Sequence, residues 1–219
     1  MTGAEAMVTC LEREGVTTIF GYPGAAICPF YDRLAFSNIH HVLVRTEQNA
    51  AHAASGYARI SGTVGVCVAT SGPGATNLLT GIASAYMDSI PLVVITGQVR
   101  SDLLGRDVFQ EADITGAAEP FTKHSYIISR AADIPRVFKE AFHIASTGRP
   151  GPVLIDIPID MQQKAITGFD YSRPADIIGY KPRVEGHSLQ IKKALEALGT
   201  CRRPVLCAGG GIFSAKAQP

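Results

Sequence analysis

Three runs of this chain, residues 64–69, 91–96 and 153–157, are almost wholly apolar and rich in β-branched residues. A strand that shows one face to water alternates apolar with polar positions, so runs of this kind belong to strands covered on both faces. Each is closed within a few residues by Gly or Pro, and helical stretches lie between them. Strands alternating with helices place the chain in the α/β class, with a parallel sheet, helices on both faces and right-handed crossovers. Weaker strand signals at 17–20, 41–44 and 126–129 bring the expected sheet to about six strands.

Local signals bound the elements. Thr2 with Glu5 fits a capping box for a first helix that stops at Gly15. Gly21-Tyr22-Pro23-Gly24 breaks the first strand, a short helix is expected over 27–34, and another over 134–146. Residues 100–116 mix charged and apolar positions without a clean period and read as a loop with a short helix. Residues 1–165 are read as one domain and 166–186, with Pro174, Pro182 and several Gly, as a linker. A second unit begins at 187, with a helix over 188–198, a strand over 204–208 and a turn at Gly209, Gly210 and Gly211. An α/β unit with one strand cannot bury its faces, so 187–219 is expected to be the truncated start of a further domain.

The chain has 219 residues, 46% of them hydrophobic and 18% charged, with a formal net charge of +1. It offers no basic field to nucleic acid. No run is long and apolar enough for a membrane span, and no basic-then-apolar leader pattern is present, so a cytoplasmic protein is expected. Cys10, Cys28, Cys67, Cys201 and Cys207 show no C-x-x-C spacing and mostly sit in apolar runs, as expected of reduced, buried thiols. The six histidines lack metal-ligand spacing with Asp or Glu, and no metal ligands are assigned.

Chemistry concentrates between residues 45 and 77. Glu47 follows the second strand at the mouth of a small-residue helix, where its charge faces the positive helix end. Ser71-Gly72-Pro73-Gly74 closes the third strand and opens another helix. Taken alone, Glu47 is either a dipole partner or a catalytic carboxylate, and the glycine turn is either a plain turn or an anion cradle without the P-loop lysine. Two such turns are expected side by side at the carboxyl ends of parallel strands, the edge where open α/β sheets bind ligands.

The words TEQNAAHAASGYAR and TSGPGATNLLTGIASAYMDSIPLVVITGQV, with GYPGAAICPFYD before them and GRDVFQEADITG after, resemble the catalytic subunits of the acetohydroxyacid synthase (acetolactate synthase) family of thiamine-diphosphate enzymes. The resemblance implies that residues 1–165 are a pyrimidine-binding domain and 187–219 the start of a central FAD-binding domain. It implies that Glu47 hydrogen-bonds the cofactor's aminopyrimidine ring and promotes the tautomer that deprotonates the thiazolium carbon. Pro73 and Asn77 would border the same ring, Gly24 would lie over the reacting carbon, Phe109 would pack near the substrate, and Gln110 would reach the bound intermediate. Arg149, Gly209, Gly210 and Gly211 would contact FAD, while the diphosphate and its Mg2+ would belong to another domain.

The implied reaction decarboxylates pyruvate and joins the product to a second 2-ketoacid in branched-chain amino acid biosynthesis, leading to isoleucine and valine. Partners expected on the same ground are 2-ketoacids, further copies of the chain through the active-site face, and a regulatory small subunit. Helices near 50–58 and 78–86 are expected to expose an apolar face for that self-association. The alternatives are a sister thiamine-diphosphate enzyme of the pyruvate oxidase kind, or a folded module inactive by itself that holds neither cofactor tightly. Ala25, Thr46, Asn49, Arg100 and Ile159 depart from the family's commoner residues, respectively Gly, His, Gly, Pro and Lys.

Overall fold

The computed structural model describes residues 1–215 and 217. Helix α1 (Gly3–Arg13) starts where the capping box was read: the Glu5 N–H donates to the Thr2 hydroxyl at 3.2 Å, and the Thr2 N–H donates to the Glu5 carboxylate at 2.8 Å. Two backbone donors left over at a helix start are thereby satisfied. The chain continues through β1 (Thr18–Gly21), α2 (Cys28–Leu34), β2 (His40–Leu43), α3 (Glu47–Ser61) and β3 (Gly65–Ala69). Next come the four-residue α4 (Pro73–Thr76), then α5 (Leu79–Met87), β4 (Leu92–Gln98), α6 (Ile114–Ala118) and β5 (His124–Ile127). The first unit then adds α7 (Ile134–Ser146), β6 (Pro152–Pro158) and α8 (Ile159–Gln163), the last without a signal read from the sequence.

All strand pairs are parallel, and the order is β2-β1-β3-β4-β6-β5. This is the expected six-stranded sheet. Helices α1, α2, α7 and α8 pack together, and α3, α5 and α6 form the other group. The unbroken apolar runs became β3, β4 and β6, every residue of which is buried. Beneath α3 and α5 the core is built largely of small side chains, among them Ala50, Ala51, Ala54, Ala75 and Ala85, closed by Leu78, Ile82 and Leu92. Those alanines pack inward within the chain.

The structure therefore corrects one expectation about α3 and α5. Ala50, Ala51, Ala54 and Ala58 of α3 and Ile82 and Ala85 of α5 are buried within the chain, while the exposed positions are polar at Gln48, Asn49, His52, Arg59 and Thr80 and apolar at Ile60 and Met87. The sequence leads one to expect these alanines on a face that meets a partner, but the sheet of their own chain already buries them.

Two compact units are resolved, Met1–Ile178 and Gly179–Pro219. Residues 166–178 lie on the first: Ile166 is buried, its N–H donates to the Met1 carbonyl at 2.8 Å, and the Tyr171 hydroxyl donates to Glu14 at 3.0 Å. The second contains α9 (Ser188–Thr200) and α10 (Gly211–Ser214), neither with a buried residue. The strand expected over 204–208 does not form. A strand needs a hydrogen-bonded neighbour, and none is present among the described residues of that unit.

The cysteines also need correction. All five are free thiols; Cys10 and Cys67 are buried, and burial pushes the Cys67 thiol up to about 12. Cys28, Cys201 and Cys207 are exposed. Cys28 lies at the first turn of α2, where its thiol donates to the Gly24 carbonyl at 3.2 Å, and Cys201 and Cys207 have no apolar layer over them. No described helix is long and apolar enough to cross a membrane.

Candidate active site

Strand β1 runs between β2 and β3, so the chain turns to opposite sides of β1 as it leaves for each neighbour. The two strand-to-helix turns do not follow adjacent strands, as a reading of the sequence suggests; they meet across the carboxyl end of β1. A crevice outside such a switch point is where open α/β sheets hold ligands.

Glu47 is the first residue of α3 and half-buried. Thr46, at the helix cap, makes no side-chain cap bond, so Glu47 brings the negative group nearest this helix start. Asn77, just beyond α4, donates its Nδ2 to Glu47 Oε2 at 2.9 Å. One carboxylate oxygen is thus held by an amide. The other, Oε1, faces Gly74: a Cβ at that position would lie 3.3 Å from it and 2.7 Å from Thr70 Cγ2. Glycine keeps this side of the carboxylate clear.

Gly24 lies against the same threonine, since a Cβ there would sit 2.5 to 2.8 Å from three Thr70 side-chain atoms. Its backbone is extended, so close approach rather than turn geometry calls for glycine. Thr70 also accepts the Ala26 N–H at 3.2 Å, tying the loop after β1 to the end of β3. Thr70 escaped the sequence reading because a threonine after a β-branched run looks like one more strand residue.

The expected loop near 100–116 reaches this cluster. Gly72, with φ 61° and ψ −125°, lies directly against Gln110, whose carbonyl oxygen would be 2.7 Å from an added Cβ. Gln110 itself has φ 59°. Phe109 is 86% exposed, so it is not a core anchor of this chain. The Glu111 carboxylate accepts the N–H groups of Gly105 and Val108, which hold it below the usual carboxylate range.

The structure thus gathers Gly24, Glu47 and Asn77 at one edge, with Gln110 at the Gly72 turn and Pro73 exposed at the start of α4. It does not bring Arg149 there. Arg149 precedes β6 at the amino edge of the sheet, donating to Ser89 Oγ at 2.7 Å and the Met87 carbonyl at 3.3 Å beside the Tyr86 ring. Gly209, Gly210 and Gly211 belong to the second unit, at the start of α10.

Asp156 was also missed. It is buried in β6, accepting from Thr96 Oγ1 at 2.6 Å and from Gln98 Nε2 at 2.9 Å. A charged residue inside an unbroken apolar run is the signal that could have found it. Burial pushes its carboxyl up to about 7, against the opposite pull of the Thr96 and Gln98 hydrogen bonds, with nearby Asp113 adding a small upward push. A raised folded-state value means the group's stability contribution is complete below the ordinary aspartate range near pH 4 and is lost as pH rises through about 7. Asp156→Asn removes that titration. Relative to the parent, the variant is expected to gain stability as pH rises from 4.5 to 8, with each pKa unit worth about 1.4 kcal/mol. Thermal unfolding of both proteins across this range checks it, and a pH-independent difference would contradict it.

The family model for thiamine pyrophosphate enzymes, N-terminal TPP binding domain, matches residues 1–117, the span holding every residue of the cluster. Similar proteins include a probable acetolactate synthase large subunit of Methanocaldococcus jannaschii, 56% identical over 97% of this chain and 36% of that protein. An acetolactate synthase of Mycobacterium bovis is 54% identical over 99% of this chain and 35% of its own length. The acetolactate synthase large subunit of Corynebacterium glutamicum is 53% identical over 100% of this chain and 35% of its own. The chain spans about a third of the length of these curated relatives. With a glutamate at the switch point, an asparagine orienting it and a glycine keeping its free oxygen clear within the matched residues 1–117, the chain belongs to the family of thiamine pyrophosphate enzymes.

Proposed function

We propose that residues 1–165 form the pyrimidine side of an acetolactate synthase active site, which takes pyruvate and a second 2-ketoacid to acetolactate or acetohydroxybutyrate in branched-chain amino acid biosynthesis. The observation that carries this reading is Glu47, one oxygen held by Asn77 and the other left clear by Gly74, in a chain whose relatives bear that enzyme's name. Thiamine diphosphate, when bound, supplies the electron sink that lets a 2-ketoacid lose carbon dioxide. With the cofactor bound, Glu47 Oε1 would share a proton with the pyrimidine nitrogen, Asn77 would keep the carboxylate aimed through its bond to Oε2, and Pro73 would border the ring. Gly24 keeps the loop after β1 close to Thr70, and that loop would cover the reacting atoms. Phe109 and Gln110 flank the substrate.

The same reading assigns the diphosphate and Mg2+ to sequence matching the remaining length of the relatives. It assigns Arg149, Gly209, Gly210 and Gly211 to FAD, in a structural role because joining two ketoacids has no net redox step. It places the enzyme in the cytoplasm as a homo-oligomer, with a regulatory small subunit as a further partner. The 219 residues by themselves are expected to be folded and inactive. Contacts between copies would use the outer positions of α3 and α5, where Ile60 and Met87 are exposed among polar residues.

The test supplies a full-length enzyme carrying these residues with pyruvate, 2-ketobutyrate, thiamine diphosphate, Mg2+ and FAD. Acetolactate and acetohydroxybutyrate are expected; acetyl phosphate with peroxide would assign it to the oxidases instead. In the same assay Phe109→Ala is expected to shift the product ratio by roughly 5- to 100-fold, since reshaping an apolar pocket by a methylene or more is worth about 1–3 kcal/mol. Its unfolding temperature should barely move, because the ring is 86% exposed. Unfolding with an unchanged ratio would show Phe109 to be structural.

A further inference from the structure

The loop that carries Phe109 and Gln110 has little apolar anchorage: between Arg100 and Asp113 no residue is buried. Asp107 and Gln110 both hold positive φ, at 53° and 59°, which costs on the order of 1 kcal/mol or more each unless the surroundings impose it. Glu111 braces the loop from within, and the loop's place on the domain is fixed by bonds at its ends. Its two ends are tied to the same short stretch of chain. At the first end, Asp160 of α8 accepts the Ser101 N–H at 2.8 Å and the Ser101 hydroxyl at 2.6 Å. At the second, Gln98 donates its Nε2 both to the Ala112 carbonyl and to Asp156, each at 2.9 Å, while its Oε1 accepts the Val99 N–H at 2.9 Å. The Gln98 amide has one orientation that satisfies all three partners, and Asp156 is the side chain among them.

We infer that Asp156, acting through Gln98, is a positioning residue that sets the place of Gln110 against Gly72, with Asp160 clamping the loop's other end. The reach from Ala112 to Gln110 is two residues, and Gln110 meets Gly72 at backbone contact, so a shift at Ala112 passes directly to the turn that opens α4. Asp156 itself is 1% exposed and touches neither Gln110 nor Glu47 through any hydrogen bond, so its influence on the site runs through the loop alone. Asparagine at 156 can replace it in this role: its oxygen accepts from Gln98 Nε2 and its amide donates to Thr96 Oγ1. Alanine cannot, and removes one of the three bonds that hold the Gln98 amide against Ala112.

The test has a part independent of any activity. Amide hydrogen exchange of the 219-residue chain is compared for the parent, Asp156→Ala, Asp156→Asn and Asp160→Ala. Asp156→Ala is expected to speed exchange across 104–112 by at least tenfold beyond its effect on β3 and α7, Asp156→Asn to restore it to within about threefold, and Asp160→Ala to act chiefly on 101–106. The second part rests on the function proposed above. In a full-length enzyme Asp156→Ala should shift the product ratio from competing 2-ketoacids in the same direction as Phe109→Ala, with Asp156→Asn close to the parent. Exchange that rises uniformly over the sheet, or that Asn fails to restore, overturns the inference. Selective loosening of 104–112 with an unchanged product ratio upholds the anchoring and counts against the substrate role given to Phe109 and Gln110. If Asp156→Ala does not fold, Gln98→Ala, which removes the same link to Ala112 while Asp156 keeps its bond from Thr96, carries the same expectations for 104–112 and for the product ratio.

Discussion

Glu47→Gln in a full-length enzyme is expected to lower turnover by about 10²–10⁴-fold at saturating thiamine diphosphate, the range over which a positioned acid–base group acts. The fold should survive. A glutamine oxygen still accepts the Asn77 amide as Glu47 Oε2 does at 2.9 Å, and the residue is only half-buried at the start of α3. What the variant would lose is the capacity proposed for Oε1, to exchange a proton with the cofactor's pyrimidine ring when it is bound. Glu47→Asp, which withdraws the carboxylate by one methylene, should fall between the two. Steady-state turnover alongside thermal unfolding separates chemistry from stability, and a loss below about threefold with Gln would remove Glu47 from the mechanism.

Gly72→Ala is expected to be among the most damaging small substitutions in the first unit. At φ 61° and ψ −125° the backbone lies where L side chains rarely go, a cost of about 1–3 kcal/mol. The added methyl would also meet the Gln110 backbone at 2.7 to 3.0 Å, and overpacking of this kind costs about 1–3 kcal/mol more. Gly15→Ala is the control. Gly15 also has a positive φ, 74°, but nothing lies within 4 Å of its missing Cβ, so only the backbone cost of about 1–2 kcal/mol applies. At about 2–4 °C per kcal/mol for a chain of this size, Gly72→Ala should lower the unfolding temperature about twice as far as Gly15→Ala. It should also displace residues 108–112, seen as faster amide exchange there. Equal effects at both sites would mean that the loop yields to the methyl and is not held against the turn.

Much of this protein is determined by short-range patterns. The capping box at Thr2 and Glu5, the helix over 134–146 and the buried runs of β3, β4 and β6 are each set by residues within a few positions of one another, because cap chemistry and apolar periodicity are local. Glu47 and the Ser71-Gly72-Pro73-Gly74 turn could be singled out for the same reason. Strand order could not. It depends on which crossovers pack, and only the folded sheet puts β1 between β2 and β3 so that Glu47 and Asn77, 30 positions apart, meet over its end. Burial of α3's alanines within the chain, the failure of 204–208 to form a strand and the exposure of Cys28 were likewise decided by which neighbours were at hand. Thr70 and Asp156 show the limit most plainly: each is one polar residue, the first after an apolar run and the second within one, and its partners, Gly24 and Ala26 for one, Thr96 and Gln98 for the other, lie 44 to 60 positions away. The value of a buried polar atom depends on whether a partner reaches it, and that is a property of tertiary contact, not of sequence neighbourhood.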